Sequence, residues 1–159
     1  MIRYALAGAP IPIYGTGRNI RDWLYVEDHV TAIMAALRAG LPGDTYLFGG
    51  RCEMCNLDVA SMVCSLLDAR RPRRDGKSYS QQITFVVDRP GHDLRYAVDP
   101  SHAEAILGWK ATEAFATGLT KTIDWYLANT DCLIPVNELG RLGTRTVGAT
   151  APIADLEST

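Results

Sequence analysis

The chain has 159 residues, of which 47% are hydrophobic and 21% charged, and its formal net charge is −2. That length suffices for one domain with a core, and the balance is that of an ordinary globular protein. It excludes an overall basic footprint for nucleic acid, and no apolar run approaches the roughly 20 residues that cross a bilayer.

Residues 1–8 lack the long apolar stretch that follows the basic start of a secretory signal, so a cytoplasmic location is the expectation. Residues 10–14, Pro-Ile-Pro-Ile-Tyr, predict an extended segment closed by Gly15-Thr16-Gly17. An apolar stretch at Trp23–Val26 follows, and Glu27-Asp28 supply acids at a helix start. Behind them Val30, Ile33, Met34 and Leu37 repeat at helical spacing and make one apolar face, which Gly40 and Pro42 end. Thr45–Phe48 is a short strand candidate. Asn56 reads as the N-cap of a second helix with Val59, Met62, Val63, Leu66 and Leu67 on one face. Residues 70–77 form a basic loop with no interleaved aromatics, read as solvated.

Ile83–Val87 is the clearest strand, broken by residues 88–93. A short strand at Arg95–Val98 precedes Asp99-Pro100, an N-cap and first-turn proline for a short helix that ends by Gly108. Thr112 begins the last helix, with Phe115, Leu119, Ile123, Tyr126 and Leu127 as its buried stripe. Residues 131–159 lose periodicity and read as a divergent, poorly ordered tail. The pattern is α/β, with short strands and about four helices.

Two clusters bear chemistry: residues 21–28, and the run Asp88-Arg89-Pro90-Gly91-His92-Asp93. Each puts an arginine at a turn or strand end, and the guanidinium fork matches the oxygens of a phosphate. The Pro90-Gly91 pair fixes one dihedral and frees the next, which suits backbone that approaches a ligand. Arg–Asp pairs also serve simply to pin loops, and residue chemistry leaves both readings open. Cys52 and Cys55 form a lone C-x-x-C. Zinc would need two more ligands, so reduced thiols are the expectation, although a strand-like segment before the pair keeps a redox reading open. No metal site is expected.

These motifs, in order, resemble the dTDP-glucose 4,6-dehydratases of the extended short-chain dehydrogenase/reductase superfamily. The resemblance rests on Gly8–Gly17, Ile20–His29, Gly49-Gly50, Asn56–Val59, Ile83–Asp93, Leu107–Lys110 and Trp125–Asn129, across residues 1–130. It implies the C-terminal, substrate-binding portion of an NAD(P)-binding Rossmann-type fold, here a nucleotide-sugar-binding unit. The family turns dTDP-glucose into dTDP-4-keto-6-deoxyglucose, a lyase reaction of deoxysugar biosynthesis that uses a tightly held NAD. By resemblance, Pro12, Ile13 and Tyr14 lie beside the base, Arg21 and Arg89 near the diphosphate, and Asn56 with the Asp88–His92 turn (Asp88, Arg89, Pro90, Gly91, His92) completes the pocket. The implied partner is a dTDP-sugar, with neither nucleic acid nor membrane. The family is homodimeric, through a half this chain lacks.

The departures are equally specific. A dinucleotide turn of the form G-x-G-x-x-G would need glycine at position 20, where Ile20 stands. None of the seven tyrosines has a lysine four residues on, so the superfamily's Tyr-x-x-x-Lys pair is absent, as is the acidic pair for elimination. Leu47, Cys52 and Met54 replace the family's Asn, Asn and Lys. Met1 falls within a helix of the full enzyme. The expectation is a truncated chain without catalytic residues or NAD of its own. It is either inactive alone, a non-catalytic nucleotide-diphosphate binder, or a subunit completed by a separate N-terminal half. With that half missing, the Val30/Ile33/Met34/Leu37 face is expected to lie uncovered.

Overall fold

The alternation of Ile11-Pro12-Ile13-Tyr14 is what a half-buried strand requires. In the computed structural model, which describes residues 1–130, these residues form β1 (Ile11–Tyr14). Ile11 is wholly buried and Ile13 nearly so, while Tyr14 is exposed. β1 pairs in parallel with β4 (Ile83–Val86), Ile11 opposite Ile83 and Tyr14 opposite Val86. A second sheet has β2 (Ile20–Asp22) at its centre. β3 (Glu53–Cys55) lies antiparallel on one side and β5 (Arg95–Tyr96) parallel on the other. The helices are α1 (Ile2–Leu6), α2 (Val26–Ala39), α3 (Asn56–Arg70), α4 (Ser101–Leu107) and α5 (Phe115–Ala128). A 3-10 turn at Tyr79–Gln82 leads into β4.

The core forms where α1, α3 and α5 close on β1. Ala5, Ile11, Val63, Cys64, Leu67, Tyr79 and Ile123 are buried together, with Leu66, Ile83, Leu119 and Leu127 packed against them. Val63, Leu66 and Leu67 of the predicted α3 face and Leu119, Ile123 and Leu127 of the predicted α5 stripe lie here, whereas Phe115 and Tyr126 are half-buried and line a cleft instead. Among the described residues five α-helices stand where periodicity showed about four. The fifth is α1, for which Met1 is the N-cap, in keeping with the helix placed there by resemblance.

Several boundaries moved, each for a physical reason. No strand forms at Thr45–Phe48, because no neighbouring strand offers it a ladder. The segment is instead held by its side chains: the Tyr46 ring stacks on His102, its hydroxyl accepts from the Leu41 N–H, and Phe48 packs edge-on to Trp109. Asn56 is the first residue of α3, and Cys55 is the N-cap. The predicted cap at Asp99 operates through its side chain, which accepts from the Ser101 N–H and hydroxyl, while Pro100 stands at the cap position. The last helix begins at Phe115 rather than Thr112. The Thr112 hydroxyl and N–H and the Glu113 N–H all donate to the Asp28 carboxylate, which holds that stretch out of the helix. The residues of the anticipated tail, 131–159, with Cys132, lie outside the described residues.

Among the described residues the apolar face of α2 is uncovered. Val30, Ile33, Met34 and Leu37 are between 40% and 75% exposed, and Val26 and Leu41 extend the stripe at either end. A contiguous apolar stripe of this kind favours association. The chain is therefore expected to show concentration-dependent sedimentation and melting, which the double substitution Ile33→Glu and Leu37→Glu abolishes. A sharp, reversible melt independent of protein concentration would count against it.

Candidate functional site

The turn after β1 brings the two arginine clusters together. Gly15 and Gly17 both adopt positive φ (55° and 73°), so the chain reverses tightly out of β1. The Gly15 N–H donates to the Val86 carbonyl at the end of β4, and Leu57 N–H at the start of α3 donates to the Gly17 carbonyl. Asn19, 5% exposed, completes the seam. Its carbonyl accepts from the Asn56 N–H and its side-chain amide donates to the Asp93 carbonyl at 3.2 Å. Ile20 N–H donates to the Leu94 carbonyl at 2.7 Å. Residues distant in sequence, 14–21, 56–57 and 86–94, thus meet at one corner of the molecule.

Arg21 projects from β2 into that corner. Its guanidinium donates to the Ile20 carbonyl (2.6 Å), to Nε2 of His92 (2.9 Å) and to the Asp93 carbonyl (3.0 Å). His92 Nδ1 lies 2.6 Å from Oδ1 of Asp88, and the imidazole meets the Tyr14 ring edge-on at 6.1 Å. Asp88 also accepts from the Arg89 N–H at 2.9 Å. The His92 hydrogen bond, backed by the Arg89 N–H, holds the Asp88 carboxyl below its ordinary value against a smaller opposing effect of desolvation. Gly91 takes φ 69°, the freedom expected after Pro90.

Tyr14, Arg21, Asp88, Arg89 and His92 are therefore neighbours or one hydrogen bond apart. Arg89 and Arg18 are exposed and enter no ion pair among the described residues. Asn56 is half-buried at the same seam. Pro12 is half-buried and Pro90 exposed, whereas Ile13 is only 2% exposed, so it can offer a ligand little beyond its main chain. Sequence reasoning missed Asn19 and Arg18. Nothing local distinguishes Asn19, since its side-chain partners lie more than 70 residues away.

The residues present do not fit a dinucleotide cofactor. A pyrophosphate turn needs open backbone N–H groups at a helix N-terminus. Here Gly15-Thr16-Gly17 joins two strands, and its own neighbours fill its concave sides. A Cβ at Gly15 would lie 2.9 Å from the Asp88 carboxylate, and one at Gly17 would lie 2.7 Å from the Ile13 side chain. An anion has neither room nor favourable charge there.

A separate cleft of about 800 Å³ runs between residues 23–27 and α5, lined by Trp23, Tyr25, Phe115, Trp125, Lys121 and Glu113 among others. It takes in residues 23–27 of the first cluster but none of Pro12, Ile13, Tyr14, Arg21, Asn56 or the Asp88–His92 turn. Its large volume reflects aromatic walls rather than converging chemistry, and the arginine corner is the better-equipped site.

The C-x-x-C pair is not arranged for metal or redox work. Cys55 ends β3 and caps α3, while Cys52 precedes the strand. Burial and the nearby Asp22 push the Cys52 thiol above its ordinary value, the reverse of a reactive cysteine. Cys55 Sγ donates to Asp58 at 3.0 Å, and burial pushes Cys64 up to about 11. Among the described residues no cluster of His, Cys, Asp or Glu could hold a metal, and no helix is long and apolar enough to cross a membrane. Arg70, read with the basic loop, is the last residue of α3 and pairs with Asp124 of α5, while Arg73 in the loop pairs with Asp75.

Comparison with solved structures defines the class. The chain superposes on a dTDP-glucose 4,6-dehydratase from Bacillus anthracis str. Ames, determined in complex with NAD. The TM-score is 0.70 at 36% identity, over 82% of this chain and 39% of that one. A UDP-glucuronic acid 4-epimerase from Bacillus cereus, in complex with UDP-glucuronic acid and NAD, gives 0.66 at 26% identity, over 80% and 38%. The fold is thus a portion of the Rossmann-type, NAD-binding extended short-chain dehydrogenase/reductase class. Within that class the chain belongs to the family described as GDP-mannose 4,6 dehydratase, whose profile matches residues 1–122. A probable dTDP-glucose 4,6-dehydratase from Sinorhizobium fredii is 54% identical over 129 residues, 81% of this chain. The chain spans 36% of that relative's length, little more than a third.

Proposed function

We propose that this chain binds the diphosphate of a dTDP-sugar at the corner formed by Arg21, Arg89, Asn56 and the Asp88–His92 turn. In this reading it is the nucleotide-sugar-binding portion of a dTDP-glucose 4,6-dehydratase. The observation that carries the reading is the Arg21 guanidinium, fixed by three hydrogen bonds to Ile20, His92 and Asp93, with Arg89 on the same Asp88–His92 turn exposed and in no ion pair among the described residues. Arg21 has five N–H donors, and with three engaged its Nε–H and one Nη1–H remain as separate donors that phosphate oxygens can accept from. Pro12, Ile13 and Tyr14, running along β1 toward the same corner, supply an edge against which a base can lie. The identity to dTDP-glucose 4,6-dehydratases over the same residues supports the choice of nucleotide. Titration calorimetry with dTDP tests it: heat of binding that disappears in the Arg21→Ala, Arg89→Ala double variant is expected, and no heat with the parent chain rejects it.

Catalysis is not assigned to these residues. The family reaction moves a hydride through NAD, and this chain offers neither a cradle for the cofactor nor a Tyr-x-x-x-Lys pair. Purified chain incubated with dTDP-glucose and NAD is expected to form no 4-keto-6-deoxy product above background. Measurable product formation would overturn this.

A second reading, that the chain acts as a subunit beside a separately supplied first half, is favoured by the uncovered α2 face and the aromatic cleft next to it. Co-expression with the first two-thirds of a dehydratase, scored for NAD retention, tests that reading.

A further inference from the structure

We propose that Asp88 and His92 form a positioning relay: neutral His92, its proton held on Nδ1 by Asp88, aims Arg21 at the diphosphate, and a second proton on the imidazole releases it. The proposal rests on the diphosphate reading above and adds to it a control by protonation.

The argument starts from donor and acceptor types. A guanidinium has N–H groups only and accepts nothing. Arg21 Nη2 lies 2.9 Å from His92 Nε2, so Nε2 must be the acceptor and carries no proton. A neutral imidazole then keeps its proton on Nδ1, and Asp88 Oδ1 stands 2.6 Å from that atom to accept it. The carboxylate thus selects the tautomer whose lone pair meets Arg21. Asn19 Nδ2, 3.3 Å from Nδ1, has the Asp93 carbonyl as its acceptor instead. That same carbonyl takes the other Nη2 proton of Arg21. His92 and the 93 carbonyl together fix the plane of the guanidinium, and with it the direction of the remaining donors.

A second proton on the imidazole would set an N–H against an N–H at 2.9 Å and one cation against another. The His92 side chain is only 8% exposed, so water screens this poorly. The groups facing His92 are few. Asp88 from its own turn favours the second proton, Arg21 from β2 opposes it, and Tyr14 from β1 and Asn19 from the preceding turn are uncharged. Imidazoles as a class change charge between about pH 5 and 8. The relay therefore links diphosphate affinity to the second protonation of His92. His92 acts through Arg21 and is a positioning residue.

The full chain is titrated with dTDP-glucose, whose diphosphate diester keeps its charge throughout, at about pH 8 and about pH 5.5. The parent is expected to lose about tenfold in affinity at the lower pH, one broken charge-assisted hydrogen bond's worth. His92→Gln, whose amide oxygen can accept from Arg21 without titrating, is expected to bind within about threefold of the parent at pH 8 and to lose the pH dependence. His92→Leu is expected to bind weakly at both. A Gln variant with the parent's pH dependence, or a Leu variant with the parent's affinity, overturns the relay. Long-range nitrogen–proton NMR of the imidazole in the ligand-free chain supplies a readout that needs no ligand. The Nδ1–H tautomer is expected at high pH and must be disturbed in Asp88→Asn. Finding the Nε2–H tautomer rejects the relay even if dTDP-glucose binds. The Nδ1–H tautomer with no binding at either pH rejects the diphosphate reading and the purpose assigned to the relay.

Discussion

Arg21→Ala is expected to weaken binding of dTDP or dTDP-glucose by about 100-fold, ~2.7 kcal/mol. A hydrogen bond to a charged group contributes about 1.5–3 kcal/mol, and the substitution removes every donor the guanidinium could direct at a phosphate oxygen. Arg21→Lys keeps the charge and loses the planar fork, so it should recover only part of the loss. Arg89→Ala should cost less, because its side chain is exposed and solvent screens its charge. The measurement is calorimetric affinity, with a thermal melt of each variant as a control. Full affinity in a folded Arg21→Ala chain would remove the central support for the diphosphate site.

The second large effect concerns stability. Asp28 is buried at 6% exposure, and its carboxylate accepts from the Thr112 N–H, the Thr112 hydroxyl and the Glu113 N–H. It thereby ties the start of α2 to the entry of α5. Burial raises its pKa, but the hydrogen bonds from Glu113 and Thr112, helped by the charge of Lys121, outweigh this and hold the carboxyl below its ordinary value. Asp28→Ala strands those donors in a dry site at a cost of about 3 kcal/mol, seen as a fall in Tm of about 10 °C. The sign of the pH effect follows. The unfolded chain takes up its proton near the ordinary value of about 3.9, and the folded chain only at lower pH. The stabilisation is complete above the ordinary value and disappears as pH falls through the folded value. Asp28→Asn should therefore be destabilised at neutral pH and lose this share of the acid sensitivity. Melting temperatures unchanged within about 2 °C in both variants would show that the tie contributes little.

Asp28 also illustrates where reading the chain by itself falls short. Its position beside Glu27 reads as an acid at a helix start, and α2 does begin there. Its main partners are 84 and 85 residues away, and no local pattern announces them. Thr112 looks like the start of a helix for the same reason, because its competing bond to Asp28 is invisible in one dimension. The Tyr46–Phe48 stretch has strand chemistry and no strand, since pairing depends on a neighbour that local sequence cannot supply. β3 went unread because a three-residue strand leaves too short a pattern to see. In the candidate site, the arginines, the Pro-Gly turn and Asp88 were legible as chemistry. Their convergence followed only from the family resemblance and not from the residue pattern, and Asn19, the buried amide at the seam, was not legible at all.

By itself the sequence determined the helical faces of α3 and α5, the alternation of β1, the turn residues and the family to which the chain belongs. Those are local matters, set by side-chain period, by dihedral preference and by residue types in fixed order. Only the tertiary structure decided that β1 lies parallel to β4, that Asp28 is tied to Thr112 and Glu113, and that Arg21 is held by His92. Each depends on elements distant along the chain closing on one another. Packing and hydrogen-bond geometry settle such contacts, and spacing in the sequence carries no record of them.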